Sequence, residues 1–388
     1  MSDRSYLDWN ATTPLRNEAK AALAEALALL GNPSSVHAEG RAARRALEQA
    51  REEVAALVGA RPGDVFFTSS GTEANMLALT PAIETATEKR SRTRLLISAI
   101  EHASVRAGGR FPREAIEELP VDADGRLNLA ALAVAVAKTP RPLVSLMLAN
   151  NETGVIQPVA EAAARVHAAG GLLHVDAVQA AGRIDCDIAA LGADLLTLSA
   201  HKIGGPKGVG ALVRSSDDIH LAEPLIRGGG QERGLRAGTE NVAGIAAFGA
   251  AAAVARRERA AETGHMVALR DLLETGLREI SQRATIFGAS AERLPNTTLF
   301  AAPGMKAETA VIAFDLEGIA VSSGAACSSG KVQASYVLAA MGVSPPLTRG
   351  AVRVSLGWST TAADIEKLLG AWRKLATTLS KEERGIAA

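Results

Sequence analysis

Six short apolar runs constrain what this chain can fold into: Val65–Thr68, Arg94–Ala99, Leu143–Leu148, Leu172–Asp176, Leu195–Ser199 and Gly210–Val213. Each has the length of a strand. Helical patterns such as Glu73–Glu84 and Val159–Ala168 fall between most of them. Strands read as near-continuous apolar runs when helices cover both faces of a parallel sheet. The expected fold is therefore α/β, a doubly wound and mostly parallel sheet. Ligands of such sheets sit beyond the carboxyl ends of the strands, so the residues that follow each run are where chemistry belongs.

At 388 residues the chain is too long for one core, and two domains are expected. Lys plus Arg and Asp plus Glu are both 42, so no charge excess points to nucleic acid or an acidic membrane. The two cysteines, Cys186 and Cys327, are too few for a disulfide framework, which fits a reducing cytoplasm. The first residues, Met1–Asp8, carry charges where a signal peptide needs an apolar run. Ala243–Ala255 is shorter than a membrane span, so no transmembrane segment is expected.

Tyr6–Pro14 reads as a strand-like start and a turn. A helix at Asn17–Leu30 follows, then one with Leu47, Ala50, Val54, Leu57 and Val58 on one stripe, ended by Gly59. Leu225–Asn241 is glycine-rich with no helix or strand period, and a loop of that length inside a compact domain is usually functional or disordered. The long helical stretch Val242–Ile280 connects to a smaller α+β unit. Its strands are expected at Thr297–Phe300, Ala320–Ser323 and Ala351–Leu356, its helices near Thr309–Leu316, Ser335–Met341 and Ala362–Thr378. Residues 15–255 then form a large domain. Residues 1–14 and 256–388 form the small domain, which carries the Cys327 loop.

Leu195–Ser199 delivers a hydroxyl, an imidazole and an amine together: Ser199, His201 and Lys202 precede a Gly/Pro-rich turn. Lys202 alone reads as a surface lysine, but desolvation at a strand end would free a nucleophilic amine. Other strand ends bring Glu101 and His102, Asn150 and Asn151, and Asp176 with Gln179. Several polar strand ends converging on one edge describe a ligand crevice. His174, inside its strand, reads as a satisfied core histidine. Ser69–Asn75 follows a strand and opens a helix, a ready anion site in which Gly71 admits close backbone approach and Thr72 adds a hydroxyl. It lacks the Gly-Lys-Ser/Thr of a Walker A loop. A buried Asp176 needs a partner, and a protonated heteroaromatic nitrogen is one. Schiff-base lysine, aspartate and phosphate cup together are the protein's half of pyridoxal-phosphate chemistry. No close-spaced metal-ligand motif is present.

Val321–Lys331 surrounds one cysteine with small residues, in a stretch too polar and glycine-rich for a core. Cys327 is thus a candidate nucleophile with Lys331 near it in sequence, whereas Cys186 reads as a buried, inert thiol. Arg353 is a guanidinium inside an apolar strand and needs an anion, either a structural carboxylate or that of a substrate.

These motifs lie in order along nearly the whole chain: Tyr-Leu-Asp-Trp-Asn-Ala-Thr-Thr-Pro, Gly-Asn-Pro-Ser-Ser, Ser-Gly-Thr-Glu-Ala-Asn, Leu-Ala-Asn-Asn-Glu-Thr-Gly, His-Val-Asp-Ala-Val-Gln, Ser-Ala-His-Lys, Gly-Gly-Gly-Gln-Glu-Arg-Gly-Leu-Arg-Ala-Gly-Thr-Glu-Asn and Ser-Gly-Ala-Ala-Cys-Ser-Ser-Gly. In them the chain resembles the cysteine desulfurases of the iron–sulfur cluster assembly and nitrogen-fixation group, which are fold-type I pyridoxal-phosphate enzymes. The resemblance implies a large domain with a mostly parallel seven-stranded sheet plus a smaller α+β domain. It implies that Lys202 carries pyridoxal 5'-phosphate and then moves protons. Asp176 pairs with the pyridinium nitrogen, Gln179 reaches the ring hydroxyl and His102 stacks on the ring. Gly71, Thr72, Ser199 and His201 hold the phosphate, joined by Thr239 from the partner subunit of a homodimer. Asn151 and Arg353 hold the carboxylate of L-cysteine. The products are L-alanine and a persulfide on Cys327, destined for an iron–sulfur scaffold protein or another sulfur acceptor. No resident metal is implied, only contact between Cys327 and a nascent iron–sulfur cluster. The competing reading within the cofactor class is a selenocysteine lyase or another fold-type I enzyme, which would not need Cys327.

Overall fold

Burial on both faces gathers the apolar runs into one sheet. In the computed structural model, which describes residues 4–86, 89, 91–324 and 334–386, seven strands lie in the spatial order Val65–Thr68, Gly210–Arg214, Leu195–Ser199, Leu172–Asp176, Leu143–Met147, Leu95–Ser98 and Ile116–Leu119. Gly210–Arg214 is antiparallel to both its neighbours, and the remaining neighbouring pairs are parallel. All strands but that one therefore point the same way, and their carboxyl ends share an edge.

Two local readings need correction. Ile116–Leu119, Ile-Glu-Glu-Leu, is a strand that the apolar pattern did not reveal. It lies at the sheet edge and is only partly buried, so charged side chains are tolerated there. The helix expected over Glu73–Glu84 spans Gly71–Ala78 instead. Pro81 disfavours helical backbone at the residue before it, and Ile83–Glu84 pairs antiparallel with His220–Leu221.

Helices Ala38–Leu57 and Val242–Ile280 pack on the sheet through Leu47, Val54, Phe248 and Ala251. The second half of Val242–Ile280 enters a different core, with Leu273, Phe300, Phe314 and Trp372. That core backs a four-stranded antiparallel sheet, ordered Thr285–Ile286, Thr297–Ala301, Val352–Ser355 and Ser322–Ser323. One helix thus ties two cores together.

The N-terminal segment crosses between them. Ser5–Tyr6 pairs with Ile319–Ala320, and Asp8 bridges to Ser355, both in the small sheet's surroundings. Thr13 N–H then donates to His201 O at 2.9 Å and Arg16 N–H to Gly204 O at 2.9 Å, beside the large sheet. The Trp9 ring meets Trp358 edge-on at 4.6 Å, which pins the strap midway.

Candidate active site

The shared strand edge opens into a cavity of about 270 Å³. Gly71, Thr72, His102, Asn151, Asp176, Gln179, Ser199, His201 and Lys202 all line it. Strand ends far apart in sequence therefore meet in one place.

Ser70 caps the Gly71–Ala78 helix, its Oγ accepting from Glu73 N–H at 3.1 Å. The first N–H groups of a helix lack intrahelical partners and favour an anion. Gly210 of the neighbouring strand passes directly beneath this turn. A Cβ there would sit 2.4 Å from the carbonyl carbon of Ser70, so only glycine allows the approach.

Asp176 lies at its strand end, largely buried. Its Oδ1 accepts from Val178 N–H at 3.0 Å and its Oδ2 from Asn75 Nδ2 at 2.8 Å. Asn75 also donates to Ser104 Oγ at 2.9 Å. Ser104 in turn holds His102: its N–H donates to His102 Nδ1 at 3.2 Å, with Oγ 2.8 Å away. These bonds put the imidazole proton on Nε2. Burial pulls the His102 pKa below its usual value, so the ring is neutral.

Lys202 Nζ donates to Asn10 O at 2.6 Å and to Ala11 O at 2.9 Å, both on the N-terminal strap. Burial first, then the guanidinium charges of Arg353 and Arg183, lowers its pKa to about 7. A large share of the amine is then unprotonated at neutral pH, as a nucleophile requires. His201 Nδ1 meets Thr12 Oγ1 at 3.1 Å, and burial lowers its pKa to about 4. Gln179 has both ends engaged: Nε2 donates to Asn10 O at 3.0 Å, and Oε1 accepts from Arg183 at 2.7 Å.

Arg353, on the Val352–Ser355 strand, does not line the cavity itself but bonds Asn151, which does. Its Nη1 donates to Asn151 O at 2.9 Å and its Nη2 to Asp8 Oδ1 at 2.7 Å. Its Nε is buried without a hydrogen-bond partner, as is Asn151 Oδ1. The guanidinium therefore has a structural carboxylate and also an unused donor.

Thr239 lies outside this cavity, exposed on the Leu225–Asn241 loop, where it lines a separate hollow with Phe67 and Glu240. Cys327 and Lys331 lie outside the described residues. Cys186 is buried, and burial pushes its thiol up to about 12, consistent with an inert cysteine. His174 bonds Ser145 Oγ at 2.8 Å and Thr197 Oγ1 at 2.9 Å inside the sheet, a satisfied core histidine. Among the described residues no cluster of metal-ligating side chains occurs, and no helix is long and apolar enough to cross a membrane.

Sequence reasoning missed Asn75, Ser104, Asp8 and Asn10 as parts of the site. Asn75 had a usable signal, since it stands four residues after Gly71 on the same helix face. The strap residues gave none, because their roles arise only from where the chain crosses.

An amine, a carboxylate and an anion-binding helix terminus on one edge of this sheet define a fold-type I pyridoxal-phosphate architecture. Residues 5–368 match the family described as Aminotransferase class-V. The cysteine desulfurase of Cereibacter sphaeroides is 45% identical over 375 residues, covering 95% of this chain and 94% of its own length. The cysteine desulfurase IscS of Dictyoglomus turgidum is 39% identical over 387 residues, covering 98% of this chain and 96% of its own. A NifS-like protein from Rickettsia africae superposes with a TM-score of 0.86 at 36% identity, covering 96% of this chain and 99% of that one. The chain belongs to the aminotransferase class-V family and, within it, to the cysteine desulfurases.

Proposed function

We propose that this cysteine desulfurase binds pyridoxal 5'-phosphate in the cavity and passes the sulfur of L-cysteine to Cys327, releasing L-alanine. The observation that carries the reading is that Lys202 and Asp176 share one cavity with the Gly71–Ala78 helix N-terminus. The residues present fit the cofactor. Asp176 offers a carboxylate for a ring nitrogen, and Gln179 an amide for the ring hydroxyl. Free N–H groups with Thr72, Ser199 and His201 suit a phosphate, and His102 offers a flat neutral ring. Asn75 Oδ1 is also buried there without a partner. When bound, pyridoxal phosphate supplies an electron sink for the substrate's α carbon.

The chain's own groups do the rest. Lys202 Nζ, partly neutral near pH 7, takes and returns the substrate's α proton. His102 Nε2–H is the second proton site. Arg353 Nε and Asn151 hold the substrate carboxylate. As sulfur moves, the substrate's C–S bond breaks and its carbon gains a proton. The Cys327 thiol becomes S–S–H, so atoms balance between L-cysteine plus thiol and L-alanine plus persulfide. We read residues 15–255 as the cofactor domain, with residues 1–14 and 256–388 forming the smaller one. The enzyme works as a cytoplasmic homodimer, with Thr239 reaching the partner's phosphate, and hands its persulfide to an iron–sulfur scaffold protein or another acceptor. The IscS name of one relative supports that acceptor class.

The test mixes purified protein, L-cysteine and a reductant, and measures alanine and sulfide together. Equal yields, lost in Cys327→Ala while the cofactor colour stays, are expected. Retained desulfuration in that variant would remove the persulfide step.

A further inference from the structure

Arg353 is almost fully buried, with its side chain 5% exposed, and the carboxylate it meets belongs to this chain: Asp8 Oδ1, 2.7 Å from Nη2. A buried guanidinium left unpaired is strongly unfavourable, so a built-in counter-charge is expected on physical grounds. The backbone, rather than the ion pair, puts Asp8 there. Ser355 N–H donates to Leu7 O at 2.8 Å, and Trp9 N–H donates to Ser355 O at 3.3 Å. Asn10 N–H donates to Ser355 Oγ at 3.0 Å. Residues on both sides of Asp8 are thus stitched to the strand that carries Arg353.

The bonds divide the guanidinium unevenly. Nη1 goes to Asn151 O and Nη2 to Asp8, while Nε alone has no partner. The fork geometry of arginine suits a carboxylate approaching the Nε edge, sharing Nε–H and the second Nη2 hydrogen. Asp8 bonds Nη2 alone, so it helps fix the plane of the group while Nε–H stays unpaired.

We propose that Asp8 is a positioning residue of the substrate-carboxylate site, holding Arg353 so that its Nε edge faces the carboxylate of L-cysteine. This rests on Arg353 binding that carboxylate. Asp8 acts through Arg353 and takes no part in the proton or sulfur transfers.

The experiment compares Asp8→Asn, Asp8→Glu and Arg353→Lys in the cofactor-loaded full chain. Steady-state kcat and KM for L-cysteine are read from alanine, and affinities for L-alanine and cysteamine from the cofactor absorbance. Asp8→Asn is expected to raise KM and weaken L-alanine by about tenfold each, with kcat within about twofold, as loss of uniform binding predicts. Cysteamine, which lacks the carboxylate, should bind as to wild type. Asp8→Glu should recover part of the loss. An unchanged or lower KM in Asp8→Asn, or an equal loss for cysteamine, overturns the proposal. If Arg353→Lys leaves KM unchanged, the carboxylate-site reading itself fails. If only the Arg353 variant raises KM, Asp8 alone loses its role.

Discussion

Ser335 Oγ donates to Glu152 Oε2 at 2.5 Å, in a pocket buried away from solvent. Glu152 is the immediate neighbour of Asn151 in the turn after Leu143–Met147, and Ser335 opens the Tyr336–Ala340 helix, whose Val337 and Leu338 share an apolar cluster with Ile100 and Met147. The next residue, Tyr336, donates its hydroxyl to Glu101 O at 2.7 Å, beside His102. The segment following the cysteine loop is therefore anchored to two strand ends that also carry site residues.

Burial raises the Glu152 pKa to about 7 from 4.5, against the opposing pull of Ser335 and Arg353. A carboxyl whose folded pKa is raised contributes stability in its protonated form. That contribution is full below about pH 4.5 and is lost as pH rises through about 7. Melting temperatures between pH 5 and 8 should therefore fall more steeply in wild type than in Glu152→Gln, which stays neutral. Equal slopes would show that Glu152 is ionised throughout.

Lys202 gives a pH effect of opposite chemical sense. Its lowered pKa makes the amine more available as pH rises through about 7. Uptake of pyridoxal phosphate by cofactor-free protein, followed by absorbance, should accelerate over that range. Arg183→Met removes a buried neighbouring cation, so the Lys202 midpoint should move up and uptake at pH 7 should slow. Lys202→Ala should abolish both colour and turnover. A pH-independent uptake rate would sink this account of the amine.

Strand ends were legible in the sequence because burial on both faces leaves a plain apolar signature, and because polar groups after such runs have few other uses. Gly71, Asp176 and Lys202 were found that way. Ile116–Leu119 was not, since an edge strand keeps its charges. Asp8 and Asn10 were not, since a strap's contacts depend on two cores closing around it. Arg353 was flagged as needing an anion, but sequence alone gave no means of choosing Asp8. Asn75 sits in a legible motif, yet its two bonds to Asp176 and Ser104 depend on how the helix docks across the sheet edge.

Asn75 thereby couples the carboxylate to the imidazole. Asn75→Ala leaves Asp176 Oδ2 and Ser104 Oγ without their shared donor, each a buried group losing a bond worth about 1–3 kcal/mol. Cofactor affinity and kcat should each drop about tenfold, the larger effect on a site that works as a unit. Retention of both in a folded variant would make the bond incidental.

Gly210 tests the phosphate cup without altering any polar side chain. A methyl there would press on Ser70 and Gly71 backbone rather than on a flexible side chain. Gly210→Ala should weaken pyridoxal phosphate by at least about tenfold and destabilise the fold by about 1–3 kcal/mol through overpacking. Gly63→Ala, at a glycine where an added Cβ meets nothing, is the control and should bind normally.

The Leu225–Asn241 loop, which carries Thr239, is held by a buried ion pair. Arg51 donates from Nη1 and Nη2 to the two oxygens of Glu232, both at 2.8 Å, and Phe67 N–H donates to Glu232 Oε2 at 2.9 Å. Glu232 adopts a φ of 46°, a conformation that needs surrounding contacts to hold it. Arg51→Met leaves the carboxylate buried without its cation, a change that costs about 3–5 kcal/mol. The sheet's own apolar contacts remain, so the variant should fold with a lowered melting temperature. With Glu232 driven outward, the loop loses its attachment to Val65–Thr68. If the proposed homodimer places Thr239 at the partner's phosphate, both dimer stability in sedimentation and cofactor affinity should fall together. A variant that melts lower but keeps wild-type dimerisation and cofactor binding would show that the loop serves only the fold of its own subunit.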